Sequence, residues 1–200
     1  MATPIEFYLD FSSPYSYLAS ECIEPLAARY GRDVEYKPML LGAAFKVSGM
    51  RPLPEVPLKG EYSKRDFERS ARFAAVPFVM PEPFPISTVG AARALLWLGE
   101  AHPQLAHAFV HAAFRQYFVS GRDLSDNSAL VDVFRRVGVD PDEGLAAIQQ
   151  PGVKERLKAH VDAAVARGVF GAPFLFVDGE PFWGHDRLPQ VERWLAAGPF

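Results

Sequence analysis

An α/β fold is predicted for this sequence of 200 residues, with a β-α-β unit at its start, helices through its middle and a β-β-α unit at its end. Three observations carry the prediction. Runs rich in β-formers occur only near the two ends, at residues 5–11, 34–38 and 174–184. Between 61 and 167 the apolar residues recur at helical spacing, with start and stop signals around the segments. The first strand passes directly into Ser12-Ser13-Pro14, a strand-to-helix turn. The simplest assembly makes residues 1–60 and 168–200 one discontinuous sheet-containing domain, with 61–167 inserted as a helical domain.

Residues 5–11 alternate loosely and read as the first strand. From Pro14 to Tyr30 a helical stripe of Leu18, Cys22, Leu26 and Tyr30 runs until Gly31 stops it. Pro25 is expected to kink or split this helix. Val34 to Pro38 is a second short strand. Eight of the eighteen prolines fall between 38 and 85, and "VSGMRPLPEVPLKG" (47–60) reads as a long loop. Phe67, Ala71 and Ala74 mark a helix over 63–75, with Ser63 and Asp66 spaced as a capping box. "PFVMPEPFP" (77–85) is too rich in proline for a helix. Helices are expected over 87–101, 103–120, 127–137 (closed by Gly138), from Asp140-Pro141, and over 153–167 (closed by Gly168). Phe174–Val177, an Asp178-Gly179 turn and Pro181–Gly184 form a hairpin. The last helix, about 187–197, carries Leu188, Val191, Trp194 and Leu195.

Composition removes several function classes. Hydrophobic residues make up 49% and charged residues 22%, as in an ordinary globular protein. A net charge of −3 and a pI near 6.0 give no general attraction to nucleic acid or anionic membrane. No apolar run is long enough to span a bilayer, and the N-terminus lacks a secretory signal pattern, so the cytoplasm is the expected compartment. The single cysteine, Cys22, excludes an internal disulfide, a Cys-x-x-Cys centre and a Cys-rich zinc site. Cys22 sits in an apolar helical stripe and reads as an inert thiol. His107 and His111 are four apart, a metal-chelating spacing, but no matching acid or thiol completes a site, and no metal is expected.

Three stretches carry possible chemistry. Ser13-Pro14 is a good N-cap and N1 pair, which is reason enough for both residues. The same helix start presents free N–H groups and the positive end of a dipole, which favour an anion or a thiolate. In "GVFGAPFLFVDG" (168–179), Ala172-Pro173 precedes a strand that reads as central. A cis bond there would leave the backbone groups of Ala172 free for a ligand, whereas a trans turn would be plain architecture. In "WGHDRL" (183–188), Asp186 is placed to cap the last helix, or Asp186 and Arg187 to grip an ammonium and a carboxylate.

Taken together, the order of elements, the Ser-Pro turn and the proline before the third strand resemble the thioredoxin superfamily. Its redox members carry Cys-x-x-Cys where Ser13-Pro14-Tyr15-Ser16 stands here. "DFSSPYSYLA", "SGMRPLPEVPLKGEY", "RFAAVPFVMPEPFP" and "GVFGAPFLFVDGEPFWGHDRL" resemble the branch of 2-hydroxychromene-2-carboxylate isomerases and kappa-class glutathione transferases, over essentially the whole chain. The resemblance implies a glutathione-dependent cis-trans isomerase of aromatic catabolism, cytoplasmic and homodimeric, acting on a small aromatic carboxylate. It implies that Ser13 holds the glutathione sulfur as thiolate, with Pro14 and Tyr15 in the same pocket. Ala172, before Pro173, would pair with the glutathione backbone. Trp183, Gly184, His185, Asp186 and Arg187 would hold its glutamyl end. Lys59 would face a carboxylate, and Met50 and Phe84 the organic substrate. Met50 departs from the branch, which often has Asn there. A kappa-type transferase or peroxidase, and a non-catalytic thioredoxin-like binding module, are the alternatives.

Overall fold

A computed structural model describes residues 2–200. Four strands form one sheet in the order β2-β1-β3-β4, with β1 (Ile5–Leu9), β2 (Val34–Pro38), β3 (Phe174–Val177) and β4 (Glu180–Trp183). β1 pairs in parallel with β2, from Ile5 opposite Val34 to Leu9 opposite Pro38. β3 runs antiparallel to both β1 and β4, with Phe7 opposite Leu175 and Leu175 opposite Phe182. Strand alternation sorts the core. Ile5, Phe7, Leu9, Leu175 and Val177 enter one buried cluster, and Tyr8, Phe174 and Phe176 enter the other.

Helix α1 (Pro14–Arg29) covers the first face, burying Leu18, Ala19, Ile23, Leu26 and Ala27. Of the kink or split expected at Pro25, the split does not occur: α1 is a single helix through it. Pro25 lies on the exposed side, where the carbonyl it leaves without a partner is close to water. The final helix α9 (Leu188–Ala197) packs Val191 into the same cluster. The second face is covered by α8 (Pro151–Ala166), through Leu157, Val161 and Ala164. Between them lie α4 (Val89–Ala101), α5 (Ala106–Phe118), α6 (Asn127–Val137) and α7 (Pro141–Ala147). Phe109, Phe114, Phe118 and Phe134 from these helices are fully buried with Phe7 and Phe11, so much of the phenylalanine content is core. Each such ring contributes roughly 2–3 kcal/mol on burial. One cluster runs through the sheet and the middle helices alike, so they share a core.

Two stretches differ from the sequence reading. The segment expected as loop over 47–60 is shorter, because α2 (Leu41–Ser48) precedes it and α3 (Lys59–Phe73) begins before its end. Ser63 is therefore inside α3, donating to Gly60 O at 2.7 Å, and the capping box does not form. Asp66 instead accepts from Tyr15 and Arg69. Gly60 permits this early start: a Cβ there would lie 2.4 Å from Pro54 O. The hairpin turn forms as expected, with Asp178 and Gly179 at φ of 54° and 90°.

The histidine pair of α5 belongs to a polar cluster with α1 and β2. Glu24 Oε1 lies 2.9 Å from His107 Nδ1 and 3.0 Å from His111 Nε2, and accepts from Tyr36 OH at 2.8 Å. Glu21 pairs with Arg115 at 2.6 Å and approaches His111 Nδ1. Among the described residues no group of three or more His, Cys, Asp or Glu is arranged to hold a metal ion, and no helix is long and apolar enough to cross a membrane. Cys22 is half-buried and burial pushes its thiol up.

Candidate active site at the start of helix α1

β1 ends at Leu9 and delivers Asp10 and the two serines to the mouth of a cleft. Ser13 is the N-cap of α1, in extended conformation at φ −90° and ψ 113°. Its Oγ accepts from Ser16 N at 3.1 Å and donates to Ala172 O at 2.9 Å. The Ala172-Pro173 bond is cis. The donors at the start of α1 can now be followed one by one. Pro14 has no N–H, Ser16 donates to Ser13 Oγ, and Tyr17 donates to Ser13 O at 3.1 Å. Among the described residues the Tyr15 N–H has no protein acceptor. An anion at this helix start therefore meets the Tyr15 amide and the Ser13 hydroxyl.

Around that point the cleft encloses about 1290 Å³. Its floor is aromatic. Tyr15 stacks on His185 at 4.6 Å and 5° between planes, and donates to Asp66 Oδ2 at 2.5 Å. Burial and the Asp66 carboxylate push the Tyr15 hydroxyl far above its ordinary range, so it stays a donor. Burial lowers His185, which favours the neutral ring. Burial alone would raise Asp66, but the Tyr15 and Arg69 hydrogen bonds outweigh it and hold the carboxylate low. Trp183 covers Gly171 so closely that a Cβ there would lie 2.4 Å from its Nε1. Gly184, at φ +109°, leaves room for the Asp186 carboxylate, which pairs with Arg187 at 2.8 Å. The opposite wall carries Lys46 from α2, Arg51 from the loop and Lys59 from the first turn of α3. Among the described residues none of these three cations has an ion-pair partner.

The family model described as DSBA-like thioredoxin domain matches residues 4–196. The chain belongs to the DSBA-like thioredoxin family. Within it, the sequence is 36% identical to a 2-hydroxychromene-2-carboxylate isomerase of Sphingobium xenophagum, over 98% of this chain and 99% of the relative. It is 27% identical to glutathione S-transferase kappa 2 of Caenorhabditis elegans, over 96% of this chain and 91% of the relative. A solved 2-hydroxychromene-2-carboxylate isomerase superimposes with a TM-score of 0.86 at 28% identity, covering 96% of this chain and 94% of that one.

In this DSBA-like chain the structure brings most of the expected residues to one place. Ser13, Pro14, Tyr15, Met50, Lys59, Ala172, Pro173 and the run Trp183, Gly184, His185, Asp186, Arg187 all line the cleft. Phe84 does not line it. Its ring packs at 6.1 Å from Phe67, and the following Pro85 and Ile86 form the wall instead. Asp186 does not cap the last helix: a short 3₁₀ turn, His185–Arg187, intervenes and Arg187 takes the cap position. Sequence reasoning passed over Asp10, Asp66, Lys46, Arg51 and Gly171. Asp10 had a local signal, an Asp two residues before Ser12 at a strand end, the pattern of an Asx turn. Asp66 and Gly171 had none, because Tyr15 and Trp183 reach them from elsewhere in the chain, and Lys46 and Arg51 had none, because only the folding of α2 and the loop after it brings them to the cleft.

Proposed function

We propose that the cleft binds glutathione and that the protein is a glutathione-dependent cis-trans isomerase of a small aromatic carboxylate. The observation that carries this reading is the Ser13 hydroxyl beside the free Tyr15 N–H, at a turn that has no cysteine. Such a turn has the donors for a thiolate and no sulfur of its own. Bound there, glutathione supplies the nucleophilic thiol. Ser13 then turns its hydroxyl from Ala172 O to the sulfur, which favours the ionised form through a charge-assisted hydrogen bond. Tyr15 N–H and the dipole end of α1 act in the same sense.

The rest of the cleft fits the tripeptide. Asp186 and Arg187 suit the glutamyl ammonium and carboxylate, and the free backbone edge at Ala172 suits a peptide unit. Lys59 suits the glycyl carboxylate. That leaves Lys46 and Arg51, which have no ion-pair partner among the described residues and line the cleft together with the apolar Leu41, Leu53 and Ile86, for an acidic and flat second substrate. Met50 adds a weak acceptor and no donor to that wall. The same reading places the protein in the cytoplasm, where the glutathione pool is kept reduced.

A kappa-type transferase is the second reading, favoured by the kappa relatives. A glutathione titration followed by an ultraviolet assay on 2-hydroxychromene-2-carboxylate separates the two. Isomerisation with the total glutathione unchanged supports the isomerase. Binding without isomerisation, with glutathione consumed against electrophiles, supports the transferase. Absence of binding overturns both and leaves a binding module.

A further inference from the structure

Asp10 is a carboxylate that is only 4% exposed, and every contact it makes is with a donor. Its Oδ1 accepts from Ser12 N at 2.8 Å, Ser12 Oγ at 2.9 Å and Thr88 Oγ1 at 2.8 Å. Its Oδ2 accepts from Leu41 N at 2.7 Å. Its own carbonyl accepts from Ser13 N at 2.9 Å. Among the described residues no cation pairs with it. A buried carboxylate without a cation is costly unless donors replace water, and four do so here.

These partners are not neighbours in sequence. Ser12 and Ser13 form the turn before α1. Leu41 is the first residue of α2, whose cap residue, Leu40, has no side-chain acceptor to offer. Thr88 is the cap residue of α4, and its hydroxyl faces Asp10 rather than its own helix. Asp10, Ser12, Ser13, Leu41 and Thr88 all line the cleft.

We infer that Asp10 is the positioning residue of the site: one carboxylate fixes the Ser13 turn with Oδ1 and suspends the α2 wall from Oδ2. The two oxygens thereby serve two ligands. Oδ1 turns the Ser12 hydroxyl inward, so that Ser13 is the serine left facing the sulfur, and Oδ2 sets where Lys46 and the apolar wall stand against the second substrate. The division between ligands rests on the glutathione reading above; the coupling of the three segments does not.

The test uses the full chain and three variants. Asp10→Asn keeps an acceptor for the Ser12 and Thr88 donors but turns an NH₂ toward Leu41 N–H, so it releases α2 alone. Asp10→Ala releases all three segments. Leu41→Pro removes the α2 donor from the other side, at the first helical position, where proline is well tolerated. Amide hydrogen exchange over 41–48 is expected to accelerate about tenfold in Asp10→Asn and in Leu41→Pro, with the strands unchanged, a change on the scale of one net hydrogen bond. Exchange at Ser12 and Ser13 is expected to accelerate only in Asp10→Ala. With ligands, Asp10→Asn is expected to raise KM for 2-hydroxychromene-2-carboxylate about fivefold to tenfold, with glutathione Kd within twofold. Asp10→Ala is expected to weaken both, and in the exchange measurement combining Asp10→Asn with Leu41→Pro to add nothing.

Uniform acceleration of exchange, or none, overturns the coupling. Equal loss of both ligands in Asp10→Asn overturns the division of work between the oxygens. If the unmutated protein binds no glutathione, the glutathione reading fails instead, and the exchange arm still decides whether Asp10 joins the three segments. If Asp10→Asn does not fold, Leu41→Pro, whose side chain itself lines the cleft, carries the exchange expectation alone and decides the coupling by it.

Discussion

The Ser13 hydroxyl donates to the Ala172 carbonyl at 2.9 Å, joining two residues 159 positions apart. This bond ties the start of α1 to the cis-Pro173 turn, and it parks the hydroxyl proton at the point where a ligand sulfur would claim it. Ser13→Ala removes the cap and the donor together. Stability is expected to fall by about 1 kcal/mol, the usual value of a serine cap. Bound glutathione thiol is expected to titrate higher, seen as thiolate absorbance against pH, and turnover to fall on the order of a hundredfold. Unchanged thiol titration in a folded variant would remove Ser13 from the chemistry.

Gly171 and Trp183 give a prediction of a different kind. An added Cβ at Gly171 meets the Trp183 indole nitrogen at 2.4 Å, but Trp183 is 49% exposed, with solvent into which a displaced ring can turn. Gly171→Ala is therefore expected to leave stability within about 1 kcal/mol while removing one wall of the cleft. Glutathione affinity should drop several-fold with little change in the denaturation midpoint. A large loss of stability with intact affinity would mean that the indole is fixed and the backbone moves instead.

These two sites differ in how far the sequence announced them. The Ser13 turn, the proline at 173 and the glycine-closed helices rest on local chemistry, which a short window of sequence contains. The same holds for the Asp178-Gly179 hairpin. What the sequence did not announce depends on distant partners. Leu41–Ser48 is a helix whose first N–H is held by Asp10, 31 residues earlier. Phe84 sits in a proline-rich stretch and packs edge-on against Phe67 of α3. Asp66 looked like half of a capping box until Tyr15, 51 positions away, took its oxygen. Pro25 does not split α1, because its effect depends on which face of the helix it occupies.

Ser16, the last residue of the Ser-Pro-Tyr-Ser turn, is fully buried, and among the described residues its hydroxyl has no hydrogen-bond partner. Its N–H, not its hydroxyl, serves the cap. Ser16→Ala keeps that N–H and deletes a polar atom stranded in the core. The variant is expected to be more stable by about 1 kcal/mol, raising Tm by roughly 2–4 °C for a chain of this size. Isomerase and glutathione-binding assays should not change. A drop in Tm of similar size would show that the hydroxyl has found a partner in solution.

The cluster between α1 and α5 predicts how stability varies with pH. The nearby Glu21 carboxylate, and then the hydrogen-bonded Glu24 carboxylate, raise His111 from its ordinary 6.5 to about 9, against the opposing effect of burial. A histidine raised on folding stabilises fully below its unfolded value, and the contribution disappears as pH climbs through its folded value. The clamp should therefore be complete near pH 6 and lost progressively between about 6.5 and 9. On the acid side, hydrogen bonds from His107 and His111 hold Glu24 well below its ordinary 4.5, so its share is present above that pH and fades as the solution becomes more acidic. Partial exposure and solvent screening limit the loss on the basic side to on the order of 1 kcal/mol. Tm measured from pH 6 to 10 should decline in this window for the native protein. His111→Gln, which cannot titrate, should start lower and stay flatter through the same range. Parallel curves for the two proteins would mean that the histidine carries no charge in the folded state near neutrality.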